Sequence, residues 1–306
     1  MTQAEVTPDP TAVFQAQRPR LVRLAYRMLG SVAEAEDVVQ DAWLRWCQAD
    51  HATVTAPASF LSRIVTRLCL DTLKSARVRR ETYVGSWLPE PLAGTDEDMA
   101  EDDLSLTLML ALERLSPLER AAFLLHDVFG VALDEVAGTL HRDAAAVRQL
   151  ASRARRHIHA ARPRYPVAPE EGDRIAQAFY AASHLGDVAG LSALLARDVV
   201  LYADGGGKVR AFFNPIRGLA RIVRLFASLS AKGEFTSAIL VRPLRIDGLP
   251  GYVSVERGAV LQTTAFAIEE GRITAIYITR NPEKLARVAQ GLGLDTAGQP
   301  VSPHAI

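Results

Sequence analysis

Cysteine is scarce: Cys47 and Cys69 are the only two in 306 residues, and both fall inside helical patterns. Such usage suits reduced thiols in a cytosol. No apolar run reaches membrane length and no secretory signal is recognisable, so the expected location is cytoplasmic, with no membrane partner. His141, His157 and His159 lack metal-ligand spacing with any cysteine pair, so neither a metal nor a cofactor is expected. Nor is there an excess of either charge. Lys plus Arg equals Asp plus Glu at 35 each, which excludes a uniformly basic nucleic-acid binder.

What is present is segregated charge. Ala56 to Arg80 carries six Lys/Arg against one Asp, and His141 to Arg164 carries seven Arg against one Asp. Glu90 to Asp103 carries seven acids and no base, so two positive surfaces joined by a negative strap are expected. The second basic block reads as a helix-turn-helix. Leu133, Val136, Ala137 and Leu140 share one face of a short first helix. Asp143 is placed to cap a second helix, in which Val147, Leu150, Ala154 and Ile158 keep helical spacing. Arg148, Gln149, Ser152, Arg153, Arg155 and Arg156 are left facing outward, with donors suited to phosphates and base edges. By itself this pattern equally fits a solvated helix in an ordinary bundle.

Upstream, residues 1 to 12 read as a loose start. A helix follows with Val13, Leu21, Leu24, Ala25 and Leu29 inside, ended by Gly30. Ser31 to Glu34 is a capping-box pattern, opening a helix to about Ala49 that buries Val38, Val39, Ala42, Trp43 and Trp46. Its exposed face carries Glu36, Asp37, Gln40, Asp41 and Arg45. A third helix starts near Pro57 with Phe60, Ile64, Leu68 and Leu73 inward. Its opposite stripe, Arg63, Arg67, Lys74 and Arg77, followed by Arg79 and Arg80, is spaced to follow a phosphate backbone.

AEAEDVVQDAWLRW (Ala33–Trp46) and FLSRIVTRLCLDTLKSARVRRE (Phe60–Glu81) resemble region 2 of bacterial extracytoplasmic-function (ECF) sigma factors. Leu112 to Ile158, with a Ser116-Pro117-Leu118-Glu119 capping box, is similar to their region 4; region 3 is missing, as in that family. Ala132, where a Ser or Thr cap is usual, and His141, where Gly is usual, depart from the pattern. The resemblance implies a sigma factor that binds RNA polymerase core and recognises and opens promoter DNA. Asp37, Gln40, Asp41 and Arg45 would dock on the beta-prime clamp. Arg63, Arg67, Lys74, Arg77 and Arg80 would engage the downstream element, with Thr66 and Leu70 near a pocket for a flipped base. Arg148, Gln149, Ser152, Arg153, Arg155 and Arg156 would engage the upstream element, while other surfaces of region 4 meet the beta flap.

Between the two halves, Glu81 to Asp103 is rich in Pro, Gly and acids, yet contains the apolar Tyr83, Trp87 and Leu88. Its Trp87-Leu88-Pro89-Glu90-Pro91 run is similar to the linker of the SigJ-like ECF group, which carries a fused SnoaL-like extension. After Pro163, Pro166 and Pro169 the periodicity changes. Amphipathic helices precede strands expected at 198–204, 235–246, 252–256, 260–268 and 273–279, interrupted by a helix at 219–229, with turns at Asp247-Gly248 and Glu270-Gly271. This order suits an α+β cone and resembles the SnoaL-like branch of the NTF2-like folds. Asp204-Gly205-Gly206-Gly207-Lys208 and Asn281-Pro282-Glu283-Lys284-Leu285 are similar to motifs of the same group.

The expected fold is therefore multidomain: two all-α sigma domains plus an α+β NTF2/SnoaL-like domain. The boundaries are region 2 at 10–82, linker at 83–103, region 4 at 104–164, SnoaL-like domain at 168–290 and a flexible tail at 291–306. Bare glycine backbone at Gly205, Gly206 and Gly207 permits close approach of another segment, which Asp204 and Lys208 would hold by polar contacts. The linker around Trp87 and Glu90 is the candidate, so that the C-terminal domain would modulate activity in cis. No catalytic residue is expected. The alternative is a DNA-binding chain whose cone is a small-molecule sensor or an isomerase-like enzyme recruiting Tyr202, Asp204, Tyr252, Tyr277 or His184.

Overall fold

The computed structural model describes residues 9–81, 83–94, 106–161, 167–257 and 259–301, and the side chains among them except those of 76–81, 93–94 and 160–161. Among these, no helix is long and apolar enough to cross a membrane. The chain divides into two compact units, 1–81 with 111–160, and 82–110 with 161–306. The expected linker thus belongs with the C-terminal residues, and the expected 103/104 boundary lies outside the described residues.

In the first unit, α1 (Pro10–Leu29) starts on a proline and ends at Gly30 (φ 73°), whose amide donates to Tyr26 O at 2.7 Å. Helix α2 (Val32–Cys47) is capped by Ser31, whose Oγ accepts from Glu34 N at 3.4 Å. Helix α3 (Pro57–Glu81) packs on both. The buried row of α3 is Leu61, Val65, Cys69 and Leu73, while Phe60, Ile64 and Leu68 are half-buried. The expected inward face is therefore rotated by one residue. Apolar side chains occupy both rows, and helical period alone does not choose the centre of so wide a stripe. In α1, likewise, Phe14 rather than Val13 is buried.

Helix α4 (Leu106–Glu113) contains the division between the units. Helix α5 (Pro117–Phe123) opens on the complete Ser116/Glu119 capping box and widens into a π turn at Leu124–Val128. Helices α6 (Leu133–Leu140) and α7 (Ala144–Ala161) form the expected helix-turn-helix. Arg120, 2% exposed, binds α5 to its neighbours: its Nη1 donates to Met28 O and to Glu113 Oε1, each at 2.6 Å.

The second unit is built on a seven-stranded sheet in the order β1-β4-β5-β6-β7-β2-β3. The strands are β1 (Ala93–Gly94), β2 (Leu195–Asp204), β3 (Ile216–Arg217), β4 (Ile239–Ile246), β5 (Leu249–Glu256), β6 (Val260–Glu269) and β7 (Arg272–Thr279). Every pair is antiparallel except β2 with β7. The expected start of β4 at Phe235 moves to Ile239, because 232–237 forms turns. Asp247-Gly248 and Glu270-Gly271 both have positive φ at each residue, as a two-residue I′ hairpin requires. Helices α8 (Pro169–Leu185), α9 (Val188–Leu194) and α10 (Leu219–Ala231) cover one sheet face. There Phe179, Ile222 and Phe226 meet Leu201, Phe266, Ile276 and Ile278. Alternate residues, including Ala265, Ala267, Ala275 and Tyr277, face the other side. That side is covered by Leu88 of the linker and Leu106 of α4, and, at Val253, Val255 and Leu261, by α11 (Pro282–Gly291) through Leu285 and Val288.

The described part of the expected flexible tail does not hang loose. Leu292 and Leu294 pack on the α11 core, and Val301 N donates to Gly293 O at 3.0 Å. Residues 1–8 and 302–306, the acids at 96–103, and Pro163 and Pro166 lie outside the described residues.

Candidate functional site

Helix α2 presents Asp37, Gln40, Asp41 and Arg45 on one exposed face with Leu44, which is 55% exposed. On α3, Arg63 is exposed and stacks over Phe60 at 5.7 Å, and Lys74 pairs with Asp71 at 2.8 Å. Arg67 differs: its Nε donates to Thr139 O at 3.4 Å, at the C-terminal end of α6 where carbonyls attract a cation. The side chains of Arg77 and Arg80 lie outside the described residues. Leu70 is half-buried, but Thr66 is fully buried and donates its hydroxyl to Ser62 O at 2.7 Å. A base pocket at Thr66 is thus not open in this structure.

In the helix-turn-helix, Ala146 N donates to Asp143 Oδ1 at 2.7 Å, the expected cap of α7. His141 takes the left-handed conformation (φ 51°) that Gly usually supplies, so the turn forms in spite of its side chain. Ala132 begins α6 with no side-chain cap. Arg148, Gln149, Ser152, Arg153, Arg155 and Arg156 are all exposed on α7. Arg153 reaches Glu119 Oε1 at 2.8 Å, and Arg155 reaches Asp127 Oδ1 at 2.5 Å. Burial alone would raise the Glu119 pKa. Hydrogen bonds from Ser116 and the Arg153 charge outweigh it and hold the carboxyl below its ordinary value.

In the second unit, a polar cluster joins the linker to the two motif loops. Asp204, fully buried, accepts from Tyr83 OH (2.6 Å) and Gly206 N (3.0 Å) at Oδ1, and from Leu88 N (2.9 Å) and Lys284 Nζ (2.8 Å) at Oδ2. Asn281 Nδ2 donates to Tyr83 OH at 3.0 Å, and Lys284 Nζ also donates to Leu88 O. The ammonium lies 4.3 Å from the Trp87 ring and 5.1 Å from that of Tyr83. Burial, then the Asp204 bond and charge, push the Tyr83 phenol above its usual pKa.

The glycines let segments approach. A Cβ on Gly206 would lie 2.4 Å from Asn281 Nδ2, and one on Gly207 would lie 3.2 Å from Val84 Cβ. Past Trp87, Leu88, Pro89, Glu90 and Pro91 are buried, and Arg287 Nε stands 3.7 Å from Glu90 Oε1. Asp247 then fixes Leu92 by two bonds, Leu92 N to Oδ1 (3.2 Å) and its own N to Leu92 O (2.9 Å). Ala93 and Gly94 finally pair with Ile246 and Arg245 at the sheet edge.

In the structure Asp204 meets the linker at Tyr83 and Leu88, Asn281 meets it at Tyr83, and Trp87 and Glu90 lie against Lys284 and Arg287. Lys208 is the exception, pairing with Glu283 at the surface while Lys284 does the holding. Lys284, within the Asn281–Leu285 motif, and Asp247, a hairpin residue by sequence, are functional positions that sequence pattern alone does not single out. Among the described residues, no three metal-ligating side chains converge. The residues of the enzymatic alternative fall into separate groups: Asp204 is committed to the linker, Tyr202 stacks on Tyr277 with centroids 5.5 Å apart, and Tyr252 and His184 both pack on Tyr180. His184 has both ring nitrogens engaged, with Tyr180 O (2.7 Å) and Glu256 Oε1 (3.2 Å).

Residues 13–79 match the family model described as Sigma-70 region 2, and residues 105–158 match Sigma-70, region 4. The chain is 38% identical over 287 residues to the ECF RNA polymerase sigma factor SigJ of Mycobacterium tuberculosis, covering 89% of this chain and 91% of that protein. It is 32% identical over 293 residues to the probable ECF sigma factor SigI of the same species, covering 93% and 98%. The crystal structure of M. tuberculosis SigJ superposes with a TM-score of 0.71 at 33% identity, over 90% of this chain and 98% of that one. With both sigma regions in order and a full-length relative at this identity, the chain belongs to the extracytoplasmic-function RNA polymerase sigma factors.

Proposed function

We propose that the α+β domain sets this sigma factor's promoter output in cis by holding the linker that joins regions 2 and 4. The observation that carries the reading is the Asp204 carboxylate, whose two buried oxygens are answered by linker groups at Tyr83 and Leu88 and by Lys284. A buried ion is tolerated only when such partners are present, so docking of the linker and order of the motif loops rise and fall together. The linker's path then limits the distance and orientation available to the two DNA-reading halves, and output follows the docking equilibrium.

In the same reading, the Asp37, Gln40, Asp41 and Arg45 face of α2 meets the beta-prime clamp, and region 4 meets the beta flap. Arg63, Arg67, Lys74, Arg77 and Arg80 engage the downstream promoter element, Arg67 leaving Thr139 to do so. Arg148, Gln149, Ser152, Arg153, Arg155 and Arg156 serve the upstream element. Each half needs only modest affinity, because one polymerase carries both and the second contact is intramolecular.

The test is transcription by reconstituted polymerase with the full chain, a truncation after Arg164, and the Asp204→Ala and Trp87→Ala variants, alongside limited proteolysis. Asp204→Ala is expected to expose the linker to cleavage and to change promoter output in the same direction as the truncation. Unchanged output together with unchanged cleavage defeats the cis reading, whereas failure of the full chain to associate with core polymerase defeats the partner assignment.

A further inference from the structure

The α+β domain encloses a cavity of about 420 Å³ between α10, the ends of β2, β5 and β7, and the loop 210–213. That volume lies within the roughly 300–1,000 Å³ typical of small-molecule sites. Its wall is apolar, with Leu201, Phe212, Phe213, Phe226, Phe235 and Ile278 contributing. Charged side chains also reach it, and two of their atoms stand out. Arg280 Nε and Glu256 Oε2 are shielded from solvent, and neither has a hydrogen-bond partner. The rest of each group is engaged: Arg280 Nη1 donates to Arg210 O at 2.9 Å, and Glu256 Oε1 accepts from Ser254 Oγ at 2.7 Å. A buried charged group with an unanswered atom is costly, and a ligand that answers it gains what the free protein forgoes.

Charge decides what kind of ligand answers. Arg210, Lys232, Arg257 and Arg280 line the cavity against only Glu234 and Glu256, and Glu234 is engaged by Arg257 at 3.0 Å. Burial, and then repulsion from Arg257, bring the Arg280 pKa down to about 10, so it remains a cation at neutral pH. An apolar chamber with an excess of cations and one unanswered guanidinium donor selects an amphiphilic anion.

We propose that this cavity binds a small amphiphilic hydroxy-carboxylic acid: its carboxylate accepts from Arg280 Nε, its hydroxyl donates to Glu256 Oε2, and its apolar body fills the chamber. The same wall supports the linker. A Cβ on Gly85 would lie 3.7 Å from Phe212 O and 3.9 Å from Phe213 Cα and Ala203 O. Arg280 N also donates to Asp204 O at 2.7 Å, so the cavity's anion-binding residue and the linker's anchor share a backbone bond. Occupancy therefore shifts linker docking, a coupling that rests on the cis reading; the site itself does not.

The experiment is calorimetry on the full chain with 3-hydroxydecanoate, decanoate and the neutral 1-decanol. Wild type, Arg280→Met and Ser228→Phe are compared; the last adds a ring from an exposed position on α10 and narrows the cavity without entering the core. Saturable binding is expected in the order hydroxydecanoate, decanoate, decanol. Arg280→Met should weaken both acids at least tenfold and leave decanol unchanged, and Ser228→Phe should weaken all three. Absence of saturation by millimolar acid, or an Arg280→Met variant that binds the acids like wild type, overturns the site. The coupling is read separately from Trp87 fluorescence, taken as the difference from Trp87→Phe: a change that saturates with the acid supports it, and acid binding with no such change overturns it. Proteolysis of Asp204→Ala without ligand judges the docking reading independently of both.

Discussion

Asp204 shows how one residue makes a linker part of a domain. Removing a carboxylate from water is unfavourable by several kcal/mol, and only its complete set of donors offsets that. Asp204→Asn leaves the buried Lys284 ammonium without its counterion, so a loss of about 3–5 kcal/mol of docking stability is expected, measured by amide exchange at Leu88. Lys208→Ala is expected to stay within about 1 kcal/mol in the same measurement, because Lys208 and Glu283 are solvated. Tyr83 adds a pH dependence. Its pKa is raised in the docked state, so its contribution is complete below the ordinary phenol value of about 10 and is lost as pH rises through the raised value. Exchange protection at Leu88 should therefore fall at alkaline pH in the wild type, and Tyr83→Phe should remove the part of that fall due to the phenol.

The elements differ in how far they were legible. The helix-turn-helix was readable because Leu133 to Ile158 carries two clear helical periods broken at Asp143, which then caps α7. Helix α3 was readable as a helix but not in its facing, since Phe60/Ile64/Leu68 and Leu61/Val65/Cys69 are both apolar rows and only packing selects one. Strand β1 carries no period at all: it is two residues long and exists because Ile246 and Arg245 offer an open sheet edge. The dock was legible through its Asp204 and Asn281 motifs, but choosing Lys284 over Lys208 required knowing that α11 turns one lysine inward and the loop turns the other out. Two departures in the helix-turn-helix give a further expectation. Ala132→Ser supplies the missing cap of α6 and should raise stability by about 1 kcal/mol, and His141→Gly relieves the left-handed residue by a similar amount. Thermal unfolding of each variant checks this; a lowered midpoint for either contradicts it.

At the scale of the whole molecule, a net charge of zero coexists with basic helices at α3 and α7. Overall charge therefore supplies no general attraction to DNA, and affinity depends on local phosphate contacts made once the polymerase carries both halves. Such contacts are recognisable by their salt dependence, since each phosphate neutralised contributes roughly 0.9 to the slope of log affinity against log salt. Arg148 and Arg156 are exposed on α7, and the Arg148 Nε donates to Ala144 O of its own helix at 3.2 Å. If both meet phosphates, Arg148→Ala with Arg156→Ala should lower the slope for polymerase–promoter binding by roughly 1.8 and weaken all promoters alike. If instead they read base edges, the slope is nearly preserved and discrimination at one or two upstream positions is lost. Binding titrations of the reconstituted enzyme across a salt series, on the cognate promoter and on single-base variants, separate the two. An unchanged slope with unchanged discrimination would remove these two arginines from the DNA interface and leave Gln149, Ser152, Arg153 and Arg155 to carry recognition.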